Sequence, residues 1–445
     1  MRNDAAFVVL LIQLMVIVLI ARVAGQVGRR LGHPIVVGEI LAGLVLGPSF
    51  LGKVFPGVFH ALFPPGGQSG STSQIIYMMS QIGLVFLMFL IGMEFDFANV
   101  KEHGKSAALV SISGILLPFA LGVGFGVWLH PQFPQTNATA FCLFIGTAVS
   151  ITAIPILGRI LIEFNLTRTD VGVLTITAAA IDDALGWICL AVVSAIVSSK
   201  LDPAATTEMV LLTALMAVLL IKVFRPLAVR FIQKELSTHG GQIGLNTFAA
   251  LIVAILGCAT ITNKIGISSL FGPFMLGAVL FDQTEFREKV FHQMKNFITA
   301  FFLPIFFTFT GLHTDMGTLG SGIMWIALGL LLFVSFFGKF VGCFLAAKLG
   351  GFQNRQAAAI GVMMNTRALM GLIAANIGRE MGAVTQPVYC MLVLMCVIST
   401  IIASPVLRRL ISGTEMERPY RESEYVSSRR SMGLRVRELD EITAI

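Results

Sequence analysis

The sequence predicts an all-α integral membrane protein of about thirteen transmembrane helices, built as two inverted six-helix repeats. Three observations carry this. The 445 residues are 56% hydrophobic and only 12% charged, with mean hydropathy +0.86, whereas soluble domains run near one quarter charged. Apolar runs of about 20 residues recur without the alternation of a lipid-facing barrel strand. Two of these runs, at corresponding places in the two halves, are interrupted by Pro, Gly, hydroxyl and amide residues. The same composition excludes a soluble enzyme, a secreted disulfide scaffold, a disordered regulator and a nucleic-acid reader. The net charge of +7 is consistent with a membrane protein because of where the charges fall.

The spans run over 5–28, 34–48, 74–95, 105–129, 138–161, 169–198, 205–224, 242–262, 267–282, 294–313, 321–348, 355–378 and 386–409. The tenth follows a polar stretch, Glu285 to Lys295, expected at the membrane interface. Span seven serves as a linker, leaving six spans on either side. An odd offset of seven spans inverts the second half relative to the first. The spans occupy residues 1–411, with 205–224 as the linker helix, and a polar tail, 412–445, follows.

Positive charges orient the chain. Arg22, Arg29 and Arg30 follow span one, Lys222, Arg225, Arg230 and Lys234 follow span seven, and the other odd loops are similarly basic. The even loops carry only Lys53, Lys200, Lys264 and Arg379. The expected N-terminus is therefore outside and the C-terminus cytoplasmic. The tail, with Arg418, Arg421, Arg429, Arg430, Arg435 and Arg437, reads as a flexible or membrane-surface segment. It is too short for a nucleotide-binding domain. No G-x-x-x-x-G-K-[ST] is present, the histidines lack metal-ligand spacing, and the six cysteines read as small buried hydrophobes. No cofactor, nucleotide or nucleic-acid partner is expected.

Two cations, Lys339 and Arg367, lie deep inside spans eleven and twelve. Each is costly there unless paired or solvated, and so is a functional candidate. Snorkelling would explain Lys339 poorly, because Lys348 already serves that end of the span. Asp182 and Asp183 stand side by side near the middle of span six. Neighbours on a helix point about 100° apart, so one can face an ion site while the other turns to a partner. Span five carries Thr147, Ser150, Thr152 and Pro155, and span twelve carries Asn365, Thr366, Arg367 and Gly371. Such residues occur in ordinary helix packing. In matched positions of inverted halves they point instead to a transport site. Glu39, in the glycine-rich span two, reads equally as a packing residue or a relay.

GEILAGLVLGPS, FLIGMEFD, the Asp182–Asp183 pair, GPFMLGAVL, GKFVG and NTRALM, in this order over residues 5 to about 410, resemble the monovalent cation:proton antiporter-2 family. The resemblance implies a sodium/proton antiporter fold, with two crossed broken helices in a core (105–198 and 294–410) that moves, elevator-like, against a homodimeric scaffold (1–95 and 242–282). It implies that Asp183 alternately binds cation and proton, that Asp182 pairs with Lys339, and that Thr147, Ser150 and Thr152 lie on the first broken helix and Arg367 on the second. Ala368 and Gly371 stand where family members often have Gly and Glu. The implied activity is secondary antiport of Na+, or K+, for protons across a bacterial inner membrane, with no enzymatic reaction. The rivals are a gated cation channel or ion-sensing receptor on the same fold, and a sodium-coupled organic-anion symporter.

Overall fold

The computed structural model describes residues 2–31, 33, 35–63, 70–94, 104–198, 202–238, 243–423 and 425–427, and these are helical with short connections. In chain order the helices are α1 (Arg2–Arg30), α2 (Ile35–Leu46), α3 (Leu51–Val54), α4 (Pro56–Leu62), α5 (Gly70–Glu94), α6 (Gly104–Leu129), α7 (Ala138–Ser150) and α8 (Ile154–Glu163). Next come α9 (Asp170–Ser198), α10 (Pro203–Leu219), α11 (Arg225–Thr238), α12 (Leu245–Ile265), α13 (Phe271–Val279), α14 (Thr284–Phe297) and α15 (Leu303–Leu312). The last are α16 (Gly322–Leu349), α17 (Asn354–Met363), α18 (Ala368–Glu380), α19 (Gln386–Ile411) and α20 (Glu417–Arg421).

Ten helices among the described residues are long and apolar enough to cross a membrane. The expected spans 138–161, 267–282 and 355–378 are not continuous long helices. The first and third are each two half-helices, α7 with α8 and α17 with α18. The second reduces to the nine-residue α13, because Gly266, at φ 100°, ends α12 and delays the next helix. Two other spans are longer than expected. A π-helical turn, Leu220–Phe224, runs α10 into α11, and another, Ile298–Phe302, joins α14 to α15. The stretch expected at the interface is thus the first part of one continuous helical segment.

The chain packs as two units. The first comprises Met1–Arg22, Ala42–Phe97 and Ala191–His313. In it α5 and α13 cross with their backbones nearly touching. A Cβ on Gly92 would lie 2.2 Å from the Phe274 carbonyl oxygen, and one on Gly277 would lie 2.2 Å from that of Phe89. Only glycine permits both approaches. The second unit comprises Val23–Leu41, Ala98–Leu190 and Thr314–Ile445. The partition departs from the expected core, since residues 294–313 pack with the first unit and residues 23–41 with the second. In the second unit α6 packs against α7 and α16, while α19, the most buried of the ten long apolar helices, packs against α16, α17 and α18.

The tail also departs from expectation. Residues 412–423 and 425–427 fold back, with Met416, Tyr420, Tyr425 and Val426 buried. Residues 428–445 lie outside the described part.

Candidate functional site

The second unit holds two interrupted helices. In the first, α7 ends at Ser150, and Ile151 and Ala153 are extended, at ψ 139° and 99°. Pro155 then occupies the first turn of α8. Proline disfavours the helical region for its predecessor and suits a helix start, so the sequence itself places the new start here. In the second, α17 ends at Met363 and α18 begins at Ala368. Asn365 and Thr366 stabilise this interruption by turning back, Nδ2 to the Gly361 carbonyl at 3.0 Å and Oγ1 to that of Met363 at 2.9 Å.

The two interruptions meet. The Ala153 N–H donates to the Thr366 carbonyl at 2.8 Å, and the Thr152 hydroxyl donates to the Met364 carbonyl at 3.0 Å. Backbone groups freed by one break are thus partly satisfied by the other, as they must be where no water competes. The other two hydroxyls bond to their own helix: Thr147 donates to the Leu143 carbonyl at 2.7 Å, and Ser150 to that of Thr147 at 3.0 Å.

Asp182 and Asp183, on α9, are both fully buried, but their surroundings differ. Asp182 accepts from the Lys339 ammonium at 3.0 Å on each oxygen and from the Thr152 N–H at 2.9 Å. Lys339, on α16, gives its remaining bond to the Ser150 carbonyl at 2.5 Å. The cation therefore meets the C-terminal end of α7, and the anion meets the backbone entering α8. Each charge faces the helix end whose dipole favours it. By contrast, neither carboxylate oxygen of Asp183 has a hydrogen-bond partner among the described residues.

Arg367 is equally buried. Its Nη2 donates to the Ser335 carbonyl at 2.6 Å and to Asn365 Oδ1 at 3.3 Å, while Nε and Nη1 have no partner among the described residues. A side chain at Gly371 would lie 2.5 Å from Cys396 Sγ at its first carbon. Any larger residue there would require Cys396 to shift. Glu39 is buried on α2 with its Cγ near Gly25 of α1, in a tight helix crossing. The expected cysteine burial holds for five of the six, Cys189 being only partly covered.

The reading of side chains missed the backbone's share of the site: the Ser150 and Ser335 carbonyls and the Thr152 amide. The hydroxyl and proline pattern marks where such groups come free, but the individual partners depend on tertiary packing.

The family model described as sodium/hydrogen exchanger, transmembrane, matches residues 15–413. The chain belongs to this family. Among relatives of this exchanger, the Na(+)/H(+) antiporter NhaS4 of Synechocystis is 35% identical over 90% of this chain and 97% of its own. The Na(+)/H(+) antiporter of Enterococcus hirae is 28% identical over 89% and 97%. Cation/H(+) antiporter 18 of Arabidopsis thaliana is 32% identical over 95% of this chain, which spans only 51% of that protein. The exchanger also shares its fold with the sodium proton antiporter MjNhaP1 of Methanocaldococcus jannaschii. One structure of that protein aligns over 94% of this chain and 100% of its own, with a TM-score of 0.56 and 16% identity.

Proposed function

We propose that this exchanger is a secondary antiporter that trades a monovalent cation for protons at Asp183. Na+ is the favoured cation and K+ the second. The observation that carries the reading is the unequal treatment of two adjacent buried acids. Asp182 is compensated by Lys339 and a backbone N–H, whereas Asp183 has neither. An uncompensated carboxylate in a low-dielectric interior costs several kcal/mol. It is stable there when a proton or a bound cation neutralises it. The two occupants exclude one another, which couples their fluxes without a nucleotide.

Thr147, Ser150 and Thr152 donate their hydroxyl protons to carbonyls, so their oxygens retain lone pairs for a hard monovalent cation. Relatives named for Na+/H+ exchange in Synechocystis and Enterococcus, and for K+/H+ exchange in yeast, support either cation. The reading includes a bacterial inner-membrane location with the N-terminus outside, a homodimer, and elevator-like movement of the unit that carries the acids.

The test is exchange by purified protein in proteoliposomes with Na+, K+ and Li+ in turn. Asp183→Asn keeps the shape of the side chain but cannot ionise. It should fold normally and bring exchange to background. A well-folded Asp183→Asn protein that exchanges at the wild-type rate sinks the assignment. Conductance without proton coupling in the wild type would favour a channel.

A further inference from the structure

The tail bridges several helix ends. Beyond α19, Gly413, at φ 69°, turns the chain back, and α20 is closed on itself by the Glu417 carboxylate, which accepts from the Gly413 N–H at 2.7 Å and from Arg421 at 2.6 Å. Six contacts then reach other elements. The Glu415 carboxylate accepts from the Val171 N–H at 3.0 Å, in the first turn of α9. The Tyr420 and Tyr425 rings pack on Phe164, just past the end of α8, at 5.2 and 5.0 Å. Asn165 Nδ2, in the turn between α8 and α9, donates to the Pro419 carbonyl at 3.2 Å. Arg355, in the first turn of α17, donates to the Ser412 carbonyl at 2.5 Å. The Tyr425 hydroxyl accepts from Arg408 of α19 at 2.6 Å. Met416, Tyr420 and Val426 are each no more than 1% exposed, unlike a chain end lying loosely on a surface.

We propose that residues 412–423 and 425–427 form an intramolecular strap that fixes the ends of α8, α9 and α17 relative to one another and so positions the acid pair for transport. The strap holds the second half of one interrupted helix, the first half of the other, and the helix carrying Asp182 and Asp183. Asp182 lies twelve residues into α9, about 18 Å along the axis at the usual rise. A rigid helix carries a displacement of its first turn over that distance. Glu415 and the two tyrosines act as positioning residues, because their contacts are with helix ends and not with the acids. The transport part of this inference rests on the function proposed above.

The test uses the full-length protein in lipid nanodiscs and proteoliposomes. In hydrogen exchange, Tyr420→Ala combined with Tyr425→Ala should speed the amides of residues 164–173 at least tenfold, along with those of the strap. In transport, the same protein should show an apparent KM for the cation raised threefold or more, with its maximum rate moved less. Tyr420→Phe alone keeps the ring on Phe164 and should stay within twofold of wild type in both measurements. If the double variant does not fold, Glu415→Ala makes the same test at the α9 tether alone. Loss of protection confined to the strap, with KM unchanged, overturns the proposal. Failure of the wild type to exchange any cation would instead overturn the proposed function, and the hydrogen-exchange comparison would still decide whether the strap holds the helix ends.

Discussion

The two interrupted helices solve the same problem with different chemistry. Each frees backbone groups and has a buried cation beside it: Lys339 reaches the Ser150 carbonyl at the first break, and Arg367 turns from the second to the Ser335 carbonyl of α16. Both cations also engage α16, which carries Lys339 and supplies the Ser335 carbonyl to Arg367 one turn away. At the first break the cation has a carboxylate partner and three acceptors in all. At the second its acceptors among the described residues are neutral, a carbonyl and an amide oxygen. The difference separates two jobs. Lys339 closes a neutral pair that organises the crossing, whereas Arg367 is held by neutral acceptors alone among the described residues. The cost of removing each cation should therefore differ.

The sharpest way to break this comparison is to remove Lys339. Lys339→Gln or Asp182→Asn alone strands a buried charge, at a cost of about 3–5 kcal/mol. The double substitution should cost clearly less than the sum of the singles. Melting in detergent measures all three, and additive losses would mean the pair is not energetically coupled. Arg367→Gln should be milder, about 1–3 kcal/mol, because only neutral hydrogen-bond acceptors are stranded. An Arg367→Gln loss as large as that for Lys339→Gln would show that the second cation has an electrostatic partner after all. The smallest effect should come from the link between the breaks. Thr152→Val keeps the side-chain shape but deletes the bond to Met364, at about 1 kcal/mol. Denaturant unfolding would detect it, and a loss above that of Arg367→Gln would make the crossing contact, and not either cation, the main support of the site.

How much of this was legible follows from what each signal measures. Hydropathy finds apolar length, so it located the helices but could not separate an intact span from two half-helices. The breaks themselves were visible in Pro155, Asn365 and Thr366, because these residues act on the backbone locally. The depth of Lys339 and Arg367 was legible for the same reason. Their different partners were not, since that depends on contacts such as Arg367 to Ser335 across 32 residues. The short α13 escaped notice because hydropathy does not register the turn at Gly266 that delays its start. The strap was the least legible part. Its arginines make the tail read as solvated, and the only local sign was the helical spacing of Met416 and Tyr420.

The interrupted helices also impose a schedule on biosynthesis. The half-helices are 10 to 13 residues long, or about 15–20 Å, against a hydrocarbon core of about 30 Å. None can cross alone with its backbone satisfied. The acceptor of Thr152 lies 212 residues later in the chain. At a synthesis rate of about 5–20 residues per second, that partner emerges about 10–40 s after the first break has left the ribosome. Through that interval the amide of Ala153 and the hydroxyl of Thr152 must be served by water or by the insertion machinery. The crossing is therefore a late event, and the ribosome sets the earliest moment at which a working site can exist.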